Sequence, residues 1–273
     1  MIRAGVVGHP VSHSLSPHIH GYWFARYGLS GVYNAIDVAS ADLKPAVDDL
    51  LGQGYAGFNV TVPHKQAALA LCQKLDDTAR KIGAVNTVVI REGVIEGRNT
   101  DAYGFVENLR QQQPGFSFGA NPALVLGAGG AARAAVYGLL QAGCLEIIVA
   151  NRSRENAERL AGDFPGVKVV EWRVRERACA DAGLLVNTTV LGMKGQEALS
   201  MNLSRLPPGS LVYDIVYKPL MTDLLQVAQE AGYAVVTGIG MLVHQARPAF
   251  AAWAGTVPEV TAELIRDITE RAR

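Results

Sequence analysis

This sequence lacks several features that would assign it to a large class of proteins. No apolar run approaches the length of about 20 residues that a membrane-spanning helix needs, and Met1–Gly8 is too short and glycine-bounded for a signal peptide. Cys72, Cys144 and Cys179 lie far apart and form no C-x-x-C pair, so neither a disulfide framework nor a cysteine metal site is predicted. We therefore expect a cytoplasmic protein with reduced cysteines.

The chain also lacks an excess of charge of either sign. Its 273 residues include 25 Lys and Arg and 25 Asp and Glu, which leaves a formal net charge of zero. Nucleic-acid-binding proteins usually carry a basic excess, so a small-molecule partner is favoured over nucleic acid. The composition, 49% apolar and 18% charged, suits one large domain or two ordinary ones with a substantial core.

Strand-like apolar runs alternate with helical segments along most of the chain, which is typical of parallel α/β units. The predicted strands are 3–7, 32–38, 54–60, 85–91, 94–97, 123–126, 146–150, 167–170, 184–186, 211–214 and 234–236. The predicted helices are 17–27, 41–51, 65–71, 77–82, 131–141, 154–161, 222–231 and 241–253. Strands 85–90 and 94–97 form a predicted hairpin, and the turn-rich segment 111–122 is a predicted linker or loop. A final helix is expected near the C-terminus, capped by Thr256 and Glu259 with Pro258 in its first turn.

The carboxyl end of the third predicted strand concentrates polar side chains. Asn59 and Thr61 follow apolar residues, Pro63 stops the strand, and Lys65 comes two residues later. We expect Asn59 and Thr61 to share one face beside the Lys65 ammonium. Since α/β proteins bind ligands at the carboxyl ends of strands, this stretch is a candidate site, and a solvated lysine after a strand is the simpler alternative.

A glycine-rich nucleotide loop follows a later strand. Gly127-x-Gly129-x-x-Ala132 comes directly after strand 123–126 and opens a helix, which is the context that gives this pattern meaning. Gly127 permits the tight turn, Gly129 lets the backbone approach a pyrophosphate, and Ala132 allows close packing of helix on strand. The first N–H groups of the helix would bind the phosphates.

The acidic residue that would select NAD is missing from this nucleotide site. The next strand runs into Asn151-Arg152-Ser153, where an NAD-specific site places Asp or Glu against the ribose 2′-hydroxyl. Arg152 can pair with a 2′-phosphate and Ser153 can donate to it, so NADP is predicted. The alternative is that Arg152 is a surface arginine and that selectivity lies elsewhere.

Eight short segments occur in the order found in one enzyme family. They are Ser14–Pro17, Asn59–Lys65, Gly83–Thr87, Asn99–Asp101, Gly127–Ala131, Asn151–Ser153, Asp214–Pro219 and Gly238–Gln245. On these segments the chain resembles the shikimate dehydrogenases over essentially its full length. The resemblance implies reversible, NADPH-dependent reduction of 3-dehydroshikimate to shikimate, a step of aromatic amino-acid biosynthesis.

The same resemblance implies a two-domain α/β fold around a cleft. Residues 1–101 and 240–273 would form the substrate-binding domain, with the C-terminal helices returning to it. Residues 102–239 would form a Rossmann-type NADP-binding domain. The resemblance is also compatible with a homodimer.

The resemblance further assigns roles to individual residues. The substrate contacts it implies are Ser14, Ser16, Thr61, Lys65, Asn86, Asp101, Tyr217 and Gln245. The cofactor contacts it implies are Asp77, Gly127, Ala128, Gly129, Gly130, Ala131, Asn151, Arg152, Ser153, Ile215 and Gly238. Lys65 is the expected proton donor or acceptor, with Asp101 beside it. In one departure, Asn156 stands where NADP-using members commonly carry a second basic residue, and Arg154 lies two positions early.

Alcohol dehydrogenation explains why a lysine and a carboxylate should lie together. The nicotinamide carries the hydride, so the protein must supply one positioned acid–base group. Desolvation and the charge of the oxidised nicotinamide would favour loss of the Lys65 proton, whereas Asp101 would favour its retention. Two interpretations stay open: Lys65 as a free base, or Lys65 and Asp101 as a pair that shares the proton.

Hydroxyl groups near the N-terminus suit the carboxylate of such a substrate. Ser14 and Ser16 precede a helix that starts at Pro17, and hydroxyls together with helix-terminal amides bind carboxylates well. Tyr217 would add a third donor. The alternative for Ser14 and Ser16 is an ordinary helix cap.

Metal binding and proton transfer by histidines are weaker hypotheses. No nearby cysteine or carboxylate completes a ligand set for the N-terminal group, so no metal site is predicted for His9, His13, His18 and His20. His64 is a minor rival of Lys65 for proton transfer. At the level of function, the alternatives are a quinate/shikimate dehydrogenase with relaxed cofactor use, a non-catalytic NADP-binding regulator and a folate-linked dehydrogenase, which the Ser14–Ser16 loop disfavours.

Overall fold

A computed structural model describes all 273 residues as two compact units. The first unit comprises residues 1–101 and 243–271, and the second comprises 102–242 with 272–273. The strands, in chain order, are β1 (Ile2–Gly8), β2 (Gly31–Asp37), β3 (Gly57–Val60), β4 (Lys74–Leu75), β5 (Thr87–Arg91), β6 (Val94–Arg98), β7 (Ala123–Leu126), β8 (Ile147–Asn151), β9 (Val167–Glu171), β10 (Leu184–Asn187), β11 (Leu211–Asp214) and β12 (Ala234–Val236). The helices are α1 (Ser16–Arg26), α2 (Leu43–Gly52), α3 (Asp77–Ile82), α4 (Asp101–Gln112), α5 (Gly130–Gln141), α6 (Arg154–Asp163), α7 (Arg175–Ala178), α8 (Asp223–Glu230), α9 (Ile239–Ala254) and α10 (Ala262–Ala272).

The sheet of the first unit is mixed, with strand order β2-β1-β3-β5-β6-β4. β1 pairs in parallel with β2 and β3, whereas β5 is antiparallel to both β3 and β6. The turn between β5 and β6 places Glu92 at φ 50° and Gly93 at φ 76°, the left-handed conformation that tight hairpin turns prefer at both central positions. The predicted hairpin is therefore confirmed.

The sheet of the second unit is wholly parallel, with strand order β12-β11-β10-β7-β8-β9. This is the doubly wound Rossmann order, which reverses direction between β7 and β10. Every residue of β7, β10 and β11 is buried, because helices cover both faces of such a sheet. The predicted fold class, an α/β substrate domain with a Rossmann-type domain, is confirmed.

Most of the two C-terminal helices, from Val243 to Arg271, belongs to the first unit, as expected. Trp253, near the end of α9, donates from Nε1 to the carbonyl of Val88 on β5 at 3.0 Å. Trp23 on α1 donates in the same way to the carbonyl of Glu259, just before α10, at 3.0 Å. These bonds satisfy indole groups that burial would otherwise leave unpaired, and they hold both helices against the N-terminal part of the chain.

Two local predictions were wrong. Residues 65–71 are a turn followed by a 3₁₀-helix over Ala67–Leu71, because the Lys65 carbonyl accepts from the Val85 N–H at 2.8 Å instead of continuing a helix. The last helix begins at Ala262, and its cap is Thr261, whose Oγ1 accepts from the Leu264 N–H at 3.2 Å.

Thr256 and Pro258 precede the last helix and do not begin it. The Pro258 carbonyl accepts from Arg247 Nε at 2.8 Å, and the Glu259 N–H donates to the Tyr27 hydroxyl at 3.0 Å. These partners hold the segment in a non-helical conformation. No helix of the structure combines the length and apolarity needed to cross a membrane.

Candidate active site

The centre of the candidate site is an ion pair between Lys65 and Asp101. Lys65 lies in the turn after β3, and Asp101 is the first residue of α4. Lys65 Nζ donates to Asp101 Oδ2 at 2.6 Å, and the two side chains are only 17% and 5% exposed. The helix N-terminus favours the Asp101 charge. A charged pair of this burial is held in one geometry, unlike the exposed pairs elsewhere on the surface.

Asn86 orients the carboxylate of this pair. Its Oδ1 accepts from the backbone N–H of Thr100 at 2.8 Å, and because a backbone N–H can only donate, the orientation of the amide is determined. Asn86 Nδ2 therefore faces Asp101 Oδ1 at 2.9 Å and Gln245 Oε1 at 3.3 Å. Both oxygens of Asp101 are thus occupied, one by Lys65 and the other by Asn86.

A buried hydrogen-bond network extends from Asn86 to Tyr33 on β2, the edge strand of the sheet. Asn59 donates from Nδ2 to the Asn86 carbonyl at 3.2 Å and to Thr87 Oγ1 at 3.0 Å, and it accepts from the Tyr33 hydroxyl at 2.6 Å. Burial raises the pKa of Tyr33 well above its usual value, and a hydrogen bond with Ser16 opposes part of this rise. The polar atoms of Asn59 therefore bond to Tyr33, Asn86 and Thr87 within the network.

The Ser14–Ser16 segment forms the entry to α1. Ser16 is buried at the start of the helix, and its N–H donates to Ser14 Oγ at 3.3 Å. Asp37 supports the preceding loop, since its Oδ1 accepts from the Val11 N–H at 3.2 Å and its Oδ2 lies 3.2 Å from His9 Nδ1. The N-cap residue of α1 is Leu15, and no side chain caps the helix in the ordinary way; Ser14 Oγ accepts only the first helical N–H, and its hydroxyl hydrogen is still available for a ligand.

Two histidines have partners or surroundings that define their state. His64 is buried, and its Nε2 donates to the Val38 carbonyl at 2.7 Å, so this nitrogen is occupied. His20 is fully buried, stacks on Tyr33 with ring centroids 4.1 Å apart, and has no hydrogen bond to either ring nitrogen. Burial lowers the pKa of His20 to about 3, so it is a neutral aromatic core residue.

The nucleotide loop lies where the strand order of the second sheet reverses. Gly127 has φ +115°, and a Cβ at this position would lie 2.6 Å from Thr188 Oγ1. A Cβ at Gly129 would meet no protein atom within 4 Å, so the backbone there is open to a ligand. α5 begins at Gly130, and Ala132 is fully buried against the sheet. The first helical N–H groups lack intrahelical partners and can bind phosphate.

The segment after β8 presents one unpaired cation. Asn151 Nδ2 donates to the Ser153 carbonyl at 2.8 Å, and Ser153 Oγ caps α6 by accepting from the Asn156 N–H at 3.3 Å. Arg152 is exposed and makes no ion pair. Arg154, in contrast, pairs with Glu158 at 2.7 Å and with Glu171 at 3.6 Å.

The remaining predicted residues fall in both units. Ile215 and Gly238 of the second unit are in close contact, since a Cβ on Gly238 would lie 2.2 Å from the Ile215 carbonyl oxygen. Burial raises the pKa of Tyr217 to about 12, so its hydroxyl is a neutral donor. Thr61 is partly exposed in the first unit. Asp77 is also in the first unit, exposed and paired with Arg80 at 2.6 Å.

Comparison with known proteins identifies the family. Residues 6–88 match the model of the shikimate dehydrogenase substrate binding domain, and residues 108–189 match that of shikimate / quinate 5-dehydrogenase. A protein of Paramagnetospirillum magneticum named shikimate dehydrogenase (NADP(+)) is 53% identical over 96% of this chain and 95% of its own length. The chain belongs to the shikimate dehydrogenase family.

Solved structures of similar proteins have the same fold over the whole chain. Shikimate 5-dehydrogenase of Thermus thermophilus, in complex with NADP(H) and shikimate, is 39% identical with a TM-score of 0.88, and the match covers 100% of both chains. Quinate dehydrogenase of Corynebacterium glutamicum, in complex with NAD, is 32% identical with a TM-score of 0.88 and covers 99% of this chain and 95% of its own. This chain is similar to both proteins in sequence and in fold.

Sequence reasoning missed several polar residues of this shikimate dehydrogenase family member. Tyr33 and Thr100 complete the network around Asn86, and in the second unit Asn187 and Thr222 surround Asp214. Thr100 lies inside the segment Asn99–Asp101 on which the resemblance rests, so its place in that motif was a usable signal. Tyr33 lies in an ordinary strand pattern and carried no such signal.

Proposed function

We propose that this chain is an NADP-dependent shikimate dehydrogenase, an oxidoreductase that reversibly reduces 3-dehydroshikimate to shikimate. The observation that carries this proposal is the buried pair in which Lys65 Nζ lies 2.6 Å from Asp101 Oδ2. Oxidation of a secondary alcohol needs one positioned group to remove the hydroxyl proton. Among the side chains of the first unit, Lys65 is the group that the surrounding network holds for that purpose.

Lys65 gives its proton to the ketone oxygen in reduction and takes it from the hydroxyl in oxidation. Bound NADPH supplies the hydride. Asp101 keeps the ammonium oriented, and Asn86 orients Asp101 through its bond to Oδ1. Because Asp101 accepts from both Lys65 and Asn86, the acid–base group of this proposal is the hydrogen-bonded pair of Lys65 and Asp101 and not an isolated lysine.

The other substrate contacts follow from the donors available. Ser14 and Ser16, together with the N-terminus of α1, would bind the substrate carboxylate. Thr61 and Gln245 would bind substrate hydroxyls, and the neutral Tyr217 hydroxyl would donate a further bond. In this proposal, residues 1–101 and 240–273 form the substrate-binding domain.

The cofactor would be held mainly by the second unit. The N–H groups of Ala128, Gly129, Gly130 and Ala131 would bind the pyrophosphate, and Gly127, whose N–H donates to the Ala150 carbonyl at 2.9 Å, would contribute the turn beside it. Arg152 would pair with the 2′-phosphate, with Asn151 and Ser153 beside the ribose. Ile215, Gly238 and Asp77 would complete the cofactor contacts. Residues 102–239 are then the NADP-binding domain, in agreement with the NADP(+) named for the Paramagnetospirillum relative.

A second candidate is a quinate/shikimate dehydrogenase with relaxed cofactor use. The quinate dehydrogenase with NAD has a TM-score of 0.88 to this chain, and the two carboxylates that pair with Arg154 leave Arg152 as the unpaired cation for a 2′-phosphate. The absence of an acidic residue at Asn151 favours NADP.

One assay separates these candidates. The initial rate of NADPH formation from shikimate is compared with the rates for shikimate and NAD, quinate and NADP, and quinate and NAD. The proposal expects kcat/KM to be highest for shikimate with NADP. Comparable kcat/KM values for quinate would favour the second candidate, and cofactor binding without oxidation of either substrate would contradict both.

Assembly and location stay predictions. The homodimer is checked by light scattering of the purified protein. A cytoplasmic location is supported by three unpaired cysteines, which are usual in a reducing compartment.

A further inference from the structure

Asp214 is a fully buried carboxylate at the end of β11, and no cation pairs with it. Its three hydrogen-bond donors are all neutral. Oδ1 accepts from the Val216 N–H at 2.9 Å and from Asn187 Nδ2 at 3.0 Å, and Oδ2 accepts from Thr222 Oγ1 at 2.7 Å. Burial raises the pKa of Asp214 to about 6, and these three bonds oppose the rise. A carboxylate in such surroundings costs stability, so its presence calls for an explanation.

The bonds of Asp214 hold the loop that follows β11 at both ends. The Val216 N–H lies between Ile215 and Tyr217, which are the proposed cofactor and substrate contacts of this loop. Thr222 is the cap of α8, where the loop ends, and its Oγ1 also accepts from the Leu225 N–H at 3.4 Å. One carboxylate therefore determines where the loop leaves the sheet and where it joins the helix.

Asn187 extends the same arrangement to the loop after β10. This fully buried residue accepts on Oδ1 from the Thr189 N–H at 3.0 Å and from its hydroxyl at 2.8 Å. Its Nδ2 donates to the Leu191 carbonyl at 3.1 Å as well as to Asp214. The backbone carbonyl of Asn187 accepts from the Ile215 N–H at 3.1 Å. The loops after β10 and β11 are thus bonded to each other through this side-chain pair, and also through the backbone, where the Lys194 N–H donates to the Lys218 carbonyl at 2.9 Å.

The glycine loop is connected to this arrangement by the neighbour of Asn187. Thr188 donates from its N–H and from Oγ1 to the Leu126 carbonyl, at 2.9 and 2.6 Å. Its Oγ1 also fills the space beside Gly127, where a Cβ would lie 2.6 Å away. A shift of the loop after β10 would therefore displace the turn that begins the phosphate site.

We propose that Asp214, acting with Asn187, is a positioning residue that holds the loops of the second unit in the geometry that NADP and the substrate require. Asp214 touches neither ligand. It acts on the cofactor through Ile215 and the glycine loop, and on the substrate through Tyr217. The proposal rests on the proposed function, because the roles of these three contacts come from it.

The test uses two substitutions of Asp214 that remove or keep its hydrogen bonds, and it measures the binding of both NADPH and shikimate. Asp214→Ala removes all three acceptors, and we expect the Kd for NADPH, measured by fluorescence without turnover, to rise about 10-fold because buried donors are left unpaired. The KM for shikimate should rise as well. Asp214→Asn keeps an oxygen for Val216 and Asn187, and its amide can donate to Thr222 Oγ1. We therefore expect Asp214→Asn to restore both values to within about 2-fold of the unsubstituted protein, about 0.4 kcal/mol at RT of about 0.59.

Three controls make the outcome specific. Leu139→Ala truncates a buried side chain near the C-terminal end of α5, outside the loops after β10 and β11, and should lower the melting temperature without changing the Kd for NADPH. Arg152→Ala should weaken only the binding of NADPH, and Tyr217→Phe should weaken only the binding of shikimate. An Asp214→Ala variant that loses thermal stability but keeps the Kd for NADPH and the KM for shikimate would overturn the proposal. If the unsubstituted protein itself does not bind NADPH, the proposed function fails instead.

Discussion

The two candidate sites are built from different parts of the polypeptide. In the first unit the reactive groups are side chains, and each is held by other buried side chains, as in the series Lys65, Asp101, Asn86 and Gln245. In the second unit the phosphate site is backbone, shaped by glycines at 127 and 129, and Arg152, the unpaired cation of the segment after β8, is exposed. Proton transfer needs a particular functional group in a particular place, whereas phosphate binding needs backbone N–H groups, which every residue except proline has. The two sites should therefore respond differently to substitution.

The largest expected effect is that of removing the Lys65 ammonium. Lys65→Ala should lower kcat for shikimate oxidation by about 10²- to 10⁴-fold, the range for loss of a positioned acid–base group. The Kd for NADPH should not change, because Lys65 belongs to the side-chain site. Lys74→Ala, at an exposed lysine of the same unit, is the matched control. Near-unaltered turnover in Lys65→Ala would remove the basis of the proposed mechanism.

The next effect concerns the two arginines after β8. Arg152→Ala should raise the KM for NADPH about 10- to 100-fold, the effect of losing a charge-assisted bond to phosphate, and leave the KM for NADH unaltered. Arg154→Ala should change neither constant appreciably, because Glu158 and Glu171 already engage that side chain. Equal losses in the two variants would show that Arg154 leaves its carboxylates when the cofactor binds.

Alanine substitutions at Gly127 and Gly129 should affect different properties, namely folding stability at Gly127 and cofactor binding at Gly129. Gly127→Ala places a side chain at φ +115° and against Thr188, so the free energy of unfolding should fall by about 1–3 kcal/mol. Gly129→Ala should leave thermal stability unaltered, since a Cβ there meets no protein atom within 4 Å, and should still weaken NADPH binding. Calorimetry and cofactor titration of both variants check this difference. The expectation for Gly129 is wrong if its alanine variant binds NADPH normally.

The smallest effect tests the aromatic support of the side-chain site. In the folded protein His20 is neutral, with its pKa lowered from 6.5 to about 3 by burial. Between these values the unfolded chain binds a proton that the folded chain does not, so stability falls as the pH drops below 6.5. From pH 7 to pH 5 this amounts to about 2 kcal/mol. The His20→Phe variant, whose ring can stack on Tyr33, should lose about this much less stability between pH 7 and pH 5. Urea unfolding of both proteins at the two pH values measures the difference. An equal loss of stability in the two proteins would contradict the prediction.

The elements that sequence predicted well are those with local causes. The strand that ends at Leu126, the turn at Gly127 and the helix from Gly130 follow from apolar runs and glycine conformations within a few residues. The hairpin of β5 and β6 follows from the left-handed turn at Glu92 and Gly93. The family resemblance added the order of the motifs.

The features that sequence did not predict depend on partners far along the chain. The hydrogen bond between Asn59 and Tyr33 was not predicted, because Tyr33 comes from another strand, 26 residues earlier. The helix expected at 65–71 is replaced by a turn and a 3₁₀-helix because the Val85 N–H donates to the Lys65 carbonyl. The bonds of Asp214 come from residues 27 positions before it and 8 after it. No local pattern identifies such pairs, because hydrogen bonding between distant side chains depends on the assembled sheet.

The contrast between Gly127 and Gly129 has a consequence for the history of the fold. Gly127 is confined by the protein's own Thr188, whereas a Cβ at Gly129 would have no protein atom within 4 Å. A descendant of this fold that no longer bound a nucleotide would be under selection to keep glycine at position 127 and free to drift at position 129. The residue at the second position therefore records whether a lineage still uses its cofactor, and the residue at the first records only that it still folds.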